Sequence, residues 1–135
     1  MSCVICDIAA GTVPTECVWR DDQVVAFLDH RPLFKGHVLV SPVDHIETLP
    51  DLPAELLAPV FGVVQRVAAA VVAGLGAGGS FTAVNTVVSQ SVPHLHVHVV
   101  PRTKGDGLRG FFWPRTRYAD GEAAEYAARL RAALG

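Results

Sequence analysis

A short segment in the last third of the chain constrains the fold more than any other feature, because three histidines alternate with aliphatic residues in it. The order is His94, Leu95, His96, Val97 and His98. Alternate side chains of an extended strand lie on the same face. The pattern therefore predicts three imidazoles about 6.6 to 7 Å apart on one face, with the aliphatic residues packed on the core behind it. Three of the six histidines lie in this alternation, which favours a functional site over a purely structural role.

Two kinds of chemistry fit such a face. Neutral imidazoles are common metal ligands, so the three side chains could bind a cation. Alternatively, one imidazole acts as a nucleophile. That role requires one ring nitrogen to stay free while a backbone carbonyl or a second histidine holds the other as a donor. The residue pattern alone leaves both possibilities open.

The remaining strand patterns define the fold class. Cys17–Arg20 and Val24–Leu28 flank a short polar turn, which is typical of a β-hairpin. Three further strands are predicted at Gly36–Ser41, Phe81–Thr86 and Leu95–Val100. Strands that accompany one long helix, without regular alternation of strands and helices, indicate an α+β fold built on an antiparallel sheet of about five strands.

Two helices are predicted. The long one spans Asp51–Leu75, where valines recur at helical spacing on one face and Asp51 can cap the first turn. Pro59 lies inside this segment and removes a backbone donor, so we expect a kink there or a helix that begins at Ala58. An alanine-rich helix is predicted at Glu122–Leu134, near the C-terminus.

Length and composition limit the classes of protein and of partner. A chain of 135 residues is expected to form one domain, and a formal net charge of -2 gives no reason to expect the basic face that a partner such as a nucleic acid polymer requires. Three cysteines make a poor disulfide framework and indicate a reducing compartment. The longest apolar stretch, Val67–Leu75, is too short to span a membrane, and the segment around Asp7 does not have the basic start of a signal peptide. We therefore expect a cytoplasmic protein without a membrane partner.

Several motifs together resemble the histidine triad (HIT) family of nucleotide hydrolases and transferases. HLHVHVV fits the family signature of histidines separated by apolar residues. The resemblance extends over nearly the whole chain, through the cysteine pair near the start, Asp29, Gly36–Pro42 with His45, Asn85–Arg102, and the segment Phe111–Arg115 of a bacterial branch. It implies a HIT-like fold, with residues 1–135 as a single HIT domain. It also implies a homodimer formed through the long helix and a sheet edge.

The resemblance implies a reaction for the alternating histidines. His96 matches the nucleophile that attacks the α-phosphorus of a nucleoside phosphoramidate or dinucleoside polyphosphate. A nucleotidyl-histidine forms, and water then releases the nucleoside monophosphate. His98 matches the residue that stabilises the phosphate oxygens, and His37 matches a fourth family histidine that orients the triad.

The resemblance also implies a site for a purine nucleotide such as AMP or GMP. Asp29 matches an acid that accepts hydrogen bonds from the ribose hydroxyls. The residues implied on the ribose and phosphate side are Asn85, Gln90, Ser91, Val92 and His98. The apolar residues implied around the base are Ile5, Ile8, Phe27 and Leu39, which from their residue types alone would be assigned to the core.

The chain departs from the family pattern in the loop before the triad. The family often has one glycine two residues after the asparagine and another just before the glutamine, where this chain has Val87 and Ser89. Glycine permits positive φ and a close approach of the backbone. We therefore expect a change in the loop on the phosphate side, with leaving-group preference more affected than the chemistry.

Cys3 and Cys6 form a CxxC pair, which by itself is compatible with free thiols, a redox pair or half of a metal site. Some bacterial members that this chain resembles bind structural zinc with such a pair, the histidine after the third strand and the first triad histidine. His45 and His94 occupy those positions here. The resemblance therefore implies one structural zinc. Magnesium would matter most for polyphosphate substrates, by screening charge.

Two further hypotheses remain beside the hydrolase. One is a non-catalytic nucleotide-binding or regulatory HIT module. The other is a zinc protein in which the triad serves only the metal. Trp113 and Pro114 resemble a Trp-Pro pair that reaches the partner subunit's site in one branch of the family, and Trp113 could equally cover the core.

Overall fold

A computed structural model describes residues 2–109 and 114–135 of the chain. The Phe111–Trp113 part of the bacterial motif, and with it the role of Trp113, lies outside the described residues. The strands are β1 (Cys17–Arg20), β2 (Val24–Leu28), β3 (Val38–Pro42), β4 (Gly79–Ala83) and β5 (Val97–Arg102). The helices are α1 (Val4–Ala10), α2 (Ala54–Leu75) and α3 (Glu122–Leu134), with a short 3₁₀ turn at Leu49–Asp51.

The five strands form one antiparallel sheet in the order β1-β2-β3-β5-β4. This arrangement confirms the predicted α+β class, the strand number and the C-terminal helix. Strand β5, which follows the histidine segment, lies between β3 and β4 and pairs His98 with Leu39. The residues just before and within β5 are thereby brought next to residues about 60 positions earlier in the chain.

Apolar residues cover both faces of the sheet. On one face, Val40, Leu95 and Val97 are fully buried against the apolar side of α2. On the other face, Ile5 and Ile8 of α1 pack on alternate residues of β2. The aliphatic positions between the histidines therefore lie in the core, as the alternation predicted.

Helix α1 was not predicted. The thiol of Cys3 caps its first turn by accepting a hydrogen bond from the amide of Cys6, at 3.4 Å. Gly11 ends the helix in the left-handed conformation, with its N–H bonded to the carbonyls of Asp7 and Ile8. The helix has seven residues and its cap is a cysteine, so it carries neither of the usual sequence signals.

The predicted start of α2 was wrong by three residues. Asp51 belongs to the 3₁₀ turn and accepts a hydrogen bond from Thr48, while the helix begins at Ala54. The helix also continues through Pro59 and does not begin again at Ala58. Helix α2 is long and apolar enough to cross a membrane, judged by length and composition alone. Val60 and five other residues of α2 are buried, however, as in the core helix of a globular domain.

The boundaries of three strands also differ from the prediction. β3 begins at Val38 because Gly36 has φ 96°, and a Cβ there would lie 2.5 Å from the side chain of Leu75. β4 spans Gly79–Ala83 and does not extend to Thr86, so Asn85 lies beyond the strand end. β5 begins at Val97, and the prediction that the whole histidine triad lies in a strand was therefore wrong.

Candidate functional site

The three predicted catalytic residues form one compact group, the histidine cluster of His37, His96 and His98. His37 Nε2 lies 3.0 Å from His98 Nδ1, and the ring centroids of His96 and His98 are 5.1 Å apart. His37 lies just before β3 and His98 lies in β5, so the pairing of these two strands brings them together. Both His37 and His96 are buried, with 6% of each residue exposed.

Hydrogen bonds fix which ring nitrogens carry protons when the histidine cluster is neutral. The amide of Leu33 donates to His37 Nδ1 at 3.0 Å, so the His37 proton is on Nε2 and is donated to His98 Nδ1. His98 then carries its own proton on Nε2. His96 Nδ1 lies 2.7 Å from the carbonyl of His94 and donates to it, which leaves Nε2 of His96 with a free lone pair.

The environment keeps two of these imidazoles neutral. Burial, with His96 and His37 nearby, lowers the pKa of His98 to about 4, and Asp29 opposes this shift. Burial also lowers the pKa of His37, again against the effect of Asp29. The Asp29 carboxylate lies 3.9 Å from His37 Nδ1 and accepts a hydrogen bond from the amide of Arg31.

The lowered pKa values predict a loss of stability in mild acid. The unfolded chain binds a proton at His98 near pH 6.5, and the folded chain binds it only near pH 4. The contribution of His98 to the unfolding free energy is therefore fully present above pH 6.5 and is lost as the pH falls from 6.5 to 4. We expect His98 to account for about 1–2 kcal/mol, after discounting for partial solvent exposure. Urea titrations of the wild type and His98→Asn at pH 7.5 and pH 4.5 would measure the difference. Equal pH dependence in the two proteins would contradict the assignment.

The predicted metal ligands form a second group, the cysteine–histidine cluster of Cys3, Cys6, His45 and His94. Their four ligand atoms all lie within 4.8 Å of one another. Cys6 Sγ is 3.3 Å from His45 Nδ1 and 3.5 Å from His94 Nδ1, and Cys3 Sγ is 3.4 Å from His94 Nδ1. The first triad histidine thus points away from the histidine cluster and into a different one.

The donor set and its spacing fit a tetrahedral zinc ion. Zn–S and Zn–N bonds of about 2.3 and 2.0–2.1 Å give sulfur-to-nitrogen edges of about 3.6 Å, close to the spacing found here. His94 Nε2 donates to the carbonyl of Pro42 at 2.8 Å, which leaves Nδ1 free as the ligand atom. Burial, followed by the neighbouring Cys3 and Asp7, raises the pKa of the Cys6 thiol to about 11, so thiolate formation at neutral pH requires a nearby positive charge such as a cation.

The four residues implied around the base lie together on the sheet face opposite α2. Ile5, Ile8 and Phe27 are buried in one apolar cluster, and Leu39 packs against it. Leu39 pairs with His98 across β3 and β5, so this apolar cluster adjoins the histidine cluster through the strand register. Three of the four are buried, as their residue types predict, and the strand register places all four beside the histidine cluster.

The polar residues implied on the phosphate side are more dispersed. Gln90 accepts from the amide of Val87 at 2.9 Å and donates to the carbonyl of Glu47 at 2.6 Å, so both ends of its amide are used within the loop region. Ser91 and Val92 line a cavity of about 720 Å³ beside the cysteine–histidine cluster. Asn85 is exposed beyond the end of β4.

The loop before the triad is strained at the two positions where the family often has glycine. Val87 and Ser89 have φ values of 65° and 62°, in the left-handed region that disfavours a β-branched residue such as valine. The loop therefore adopts a glycine-like backbone without glycine. The bonds made by Gln90 on either side hold it in place.

We expect Val87→Gly to raise the unfolding free energy by about 1 kcal/mol, because relief of left-handed strain exceeds the added entropy of the unfolded chain. Val87 is 74% exposed, so little packing is lost. Val88→Gly is the matched control, since Val88 is 78% exposed and has no positive φ. It should lower stability by about 0.5–1 kcal/mol. Urea denaturation measures both, and destabilisation by both changes would contradict the interpretation.

The residue pattern did not identify the main-chain groups that orient the site. The amide of Leu33 and the carbonyls of Pro42 and His94 each hold one imidazole nitrogen. Any residue type supplies such groups, so they leave no signal in the sequence. Arg102, at the end of β5, is paired with Asp106 through two hydrogen bonds, at 2.6 and 3.2 Å.

Comparison with known proteins agrees with the fold. The HIT domain family model matches residues 10–105. An uncharacterised HIT-like protein of Mycobacterium tuberculosis is 40% identical over 110 residues, which are 80% of this chain and 76% of that protein. An adenosine 5'-monophosphoramidase of Schizosaccharomyces pombe is 31% identical over 114 residues, 84% of each chain. An adenylylsulfatase of Arabidopsis thaliana is 32% identical over 108 residues, 78% of this chain and 55% of that protein.

Two solved structures extend the comparison. The crystal structure of a HIT family member from Bacillus subtilis matches with a TM-score of 0.89 and 34% identity, over 100% of this chain and 99% of that one. A Zn-bound histidine triad family protein from Mycobacterium smegmatis matches with a TM-score of 0.76 and 38% identity, over 98% of both chains. The chain belongs to the HIT domain family.

Proposed function

We propose that the protein is a nucleotide hydrolase or nucleotidyltransferase that uses His96 as its nucleophile. The observation that carries this proposal is the hydrogen bond that fixes the His96 ring. His96 Nδ1 donates to the His94 carbonyl at 2.7 Å, so Nε2 keeps a free lone pair for attack. Relatives named as an adenosine 5'-monophosphoramidase and an adenylylsulfatase support hydrolysis at the phosphorus of an adenylyl group.

The proposed reaction has two steps. His96 Nε2 forms a bond to the α-phosphorus as the bond to the leaving group breaks, and the departing amine or phosphate takes up a proton from solvent. Water then attacks the phosphorus of the nucleotidyl-histidine, the bond from phosphorus to Nε2 breaks, and nucleoside monophosphate and neutral His96 are released as the water gives one proton back to solvent. The Nε2–H of His98 is suited to donate to a phosphate oxygen, because its Nδ1 is occupied by His37. His37 acts through His98 as a positioning residue.

The substrate we propose is a purine nucleoside phosphoramidate or a dinucleoside polyphosphate, with AMP or GMP as the product. The purine is proposed to lie against the apolar cluster of Ile5, Ile8, Phe27 and Leu39, because an apolar wall accepts either purine. Asp29 is proposed to accept from the ribose hydroxyls. Asn85, Gln90, Ser91 and Val92 are proposed for the ribose and phosphate side, together with His98.

Product analysis tests the reaction. The wild type is incubated with adenosine 5'-phosphoramidate and with diadenosine tetraphosphate, each with and without magnesium, and AMP is measured by chromatography. We expect AMP from at least one substrate, and magnesium dependence only with the polyphosphate, where the cation screens charge. Saturable AMP binding with no release from either substrate would favour the alternative, a non-catalytic nucleotide-binding or regulatory HIT module.

We also propose that the cysteine–histidine cluster holds one structural zinc ion. The tetrahedral donor spacing and the Zn-bound relative from Mycobacterium smegmatis support this assignment. A closed set of four ligands leaves no position for substrate, so zinc would stabilise the fold around α1 without entering the reaction. A reducing, cytoplasmic location would keep Cys3 and Cys6 available as ligands. Metal analysis should find one zinc per chain in the wild type, and its absence would contradict the proposal.

We also propose that the protein is a homodimer in which each chain forms a single HIT domain over residues 1–135. β4 lies at one edge of the described sheet, and α2 exposes Leu57, Val72 and Leu75 away from the core. These features provide an open strand edge and an apolar helix surface, the two parts that such an interface requires. Sedimentation should give twice the 14.4 kDa mass of one chain, and a mass of 14.4 kDa at micromolar concentration would contradict the dimer.

A further inference from the structure

We propose that the cysteine–histidine cluster positions the nucleophile, and that it does so through the peptide unit joining His94 to Leu95. In this proposal His45 and His94 are positioning residues for His96, so metal binding controls the orientation of a ring that does not touch the metal. The inference rests on the proposed function for its effect on rate. Its effect on the His96 ring is independent of that function.

The peptide unit between His94 and Leu95 is held at both of its polar groups. Its carbonyl accepts from His96 Nδ1 at 2.7 Å, and its N–H donates to the carbonyl of Ile46 at 2.7 Å. The peptide group is planar, so a change in the direction of one bond changes the other. The orientation of His96 is therefore linked to the position of Ile46.

Each end of this link lies beside a ligand of the cysteine–histidine cluster. His94 supplies the carbonyl, and Ile46 directly follows His45 in the chain. The His45 and His94 rings meet edge to face with centroids 5.0 Å apart, and both Nδ1 atoms lie within 3.5 Å of Cys6 Sγ. A cation bound to both imidazoles would fix the separation of these two segments, and with it the peptide that holds His96.

Loss of the cation should loosen this peptide without removing any atom that contacts substrate. His96 would then exchange between its two neutral tautomers, and Nε2 would be the free nitrogen for only part of the time. Removing the partner that orients a metal-binding histidine typically costs about 10- to 100-fold in activity, and we expect a loss of the same order when His96 loses its fixed orientation. A site that merely anchors α1 would lower thermal stability and leave the His96 ring unchanged.

Nitrogen NMR of histidine-labelled full-length protein distinguishes these roles. With zinc bound, we expect a single His96 species, protonated at Nδ1 and free at Nε2. Removing zinc with a chelator should give mixed His96 tautomers and a 10- to 100-fold slower single turnover of adenosine 5'-phosphoramidate. Zinc should restore both. Cys6→Ser should resemble the zinc-free wild type, and Cys17→Ser is the matched control, since Cys17 is exposed outside the cluster.

His45 provides a second pair of variants that is less prone to unfold, because its side chain is exposed. His45→Ala should weaken zinc binding and mix the His96 tautomers at low zinc concentrations, and His45→Cys should restore a single species. His96 signals that do not change when zinc leaves the folded protein would overturn the proposal, even if the rate falls. If the signals respond but no state of the protein releases AMP, the proposed reaction fails and the positioning role stands.

Discussion

His96→Ala should lower the rate of AMP release by at least about 10³-fold, because no other imidazole in the histidine cluster can take its place as the nucleophile. His98 already accepts from His37 at Nδ1 and carries its proton on Nε2, and His37 receives the Leu33 amide at Nδ1. Affinity for AMP should change by less than about threefold, because the apolar cluster and Asp29 are unaltered. Single-turnover kinetics and calorimetric titration with AMP measure the two quantities separately.

The matched control is His30→Ala, since the side chain of His30 is 88% exposed and belongs to neither cluster. Its rate should equal that of the wild type. Turnover that survives in His96→Ala would refute the nucleophilic mechanism. A parallel loss of AMP affinity would instead indicate that His96 binds the product.

Leu95→Ala should have the largest effect on stability, lowering the unfolding free energy by about 2–5 kcal/mol. Leu95 is fully buried in the core formed with α2, so truncation leaves a cavity where the sheet meets the helix. Its backbone bond to Ile46 is retained by alanine. Activity per folded molecule should therefore stay within a few-fold of the wild type at low temperature.

Leu134→Ala removes the same atoms from a side chain that is 86% exposed on α3, and it should change stability by less than about 0.5 kcal/mol. Urea denaturation of both variants provides the comparison. Similar losses in the two would mean that Leu95 is not a core residue. Together with His96→Ala, the result would show that neighbouring residues of one segment serve stability and chemistry separately.

Much of the fold could be predicted from local patterns. The hairpin of β1 and β2 and the bounds of α3 were confirmed, because turn residues and helical periodicity act over a few positions. Boundaries failed where the deciding contact was distant. Gly36 leaves the extended conformation just before β3, with φ 96°. The amide of Leu95, just before β5, donates to the carbonyl of Ile46, so that boundary could not be found from its immediate neighbours.

By itself, the sequence determined which side chains are available for chemistry and which residues between them are core. The alternation of imidazoles with Leu95, Val97 and Val99 already separated the two sets, since side chains on opposite sides of an extended chain cannot share one environment.

Only the tertiary structure decided how the histidines are divided. His94 joins Cys3 and Cys6 across about 90 residues of chain, and His98 meets His37 across 61. The physical reason is that strand register and main-chain hydrogen bonds set these pairings. Main-chain hydrogen bonds also set which nitrogen of each ring carries the proton. Strand register and main-chain bonds do not depend on the type of the residues that supply them, so the sequence gives no signal for either.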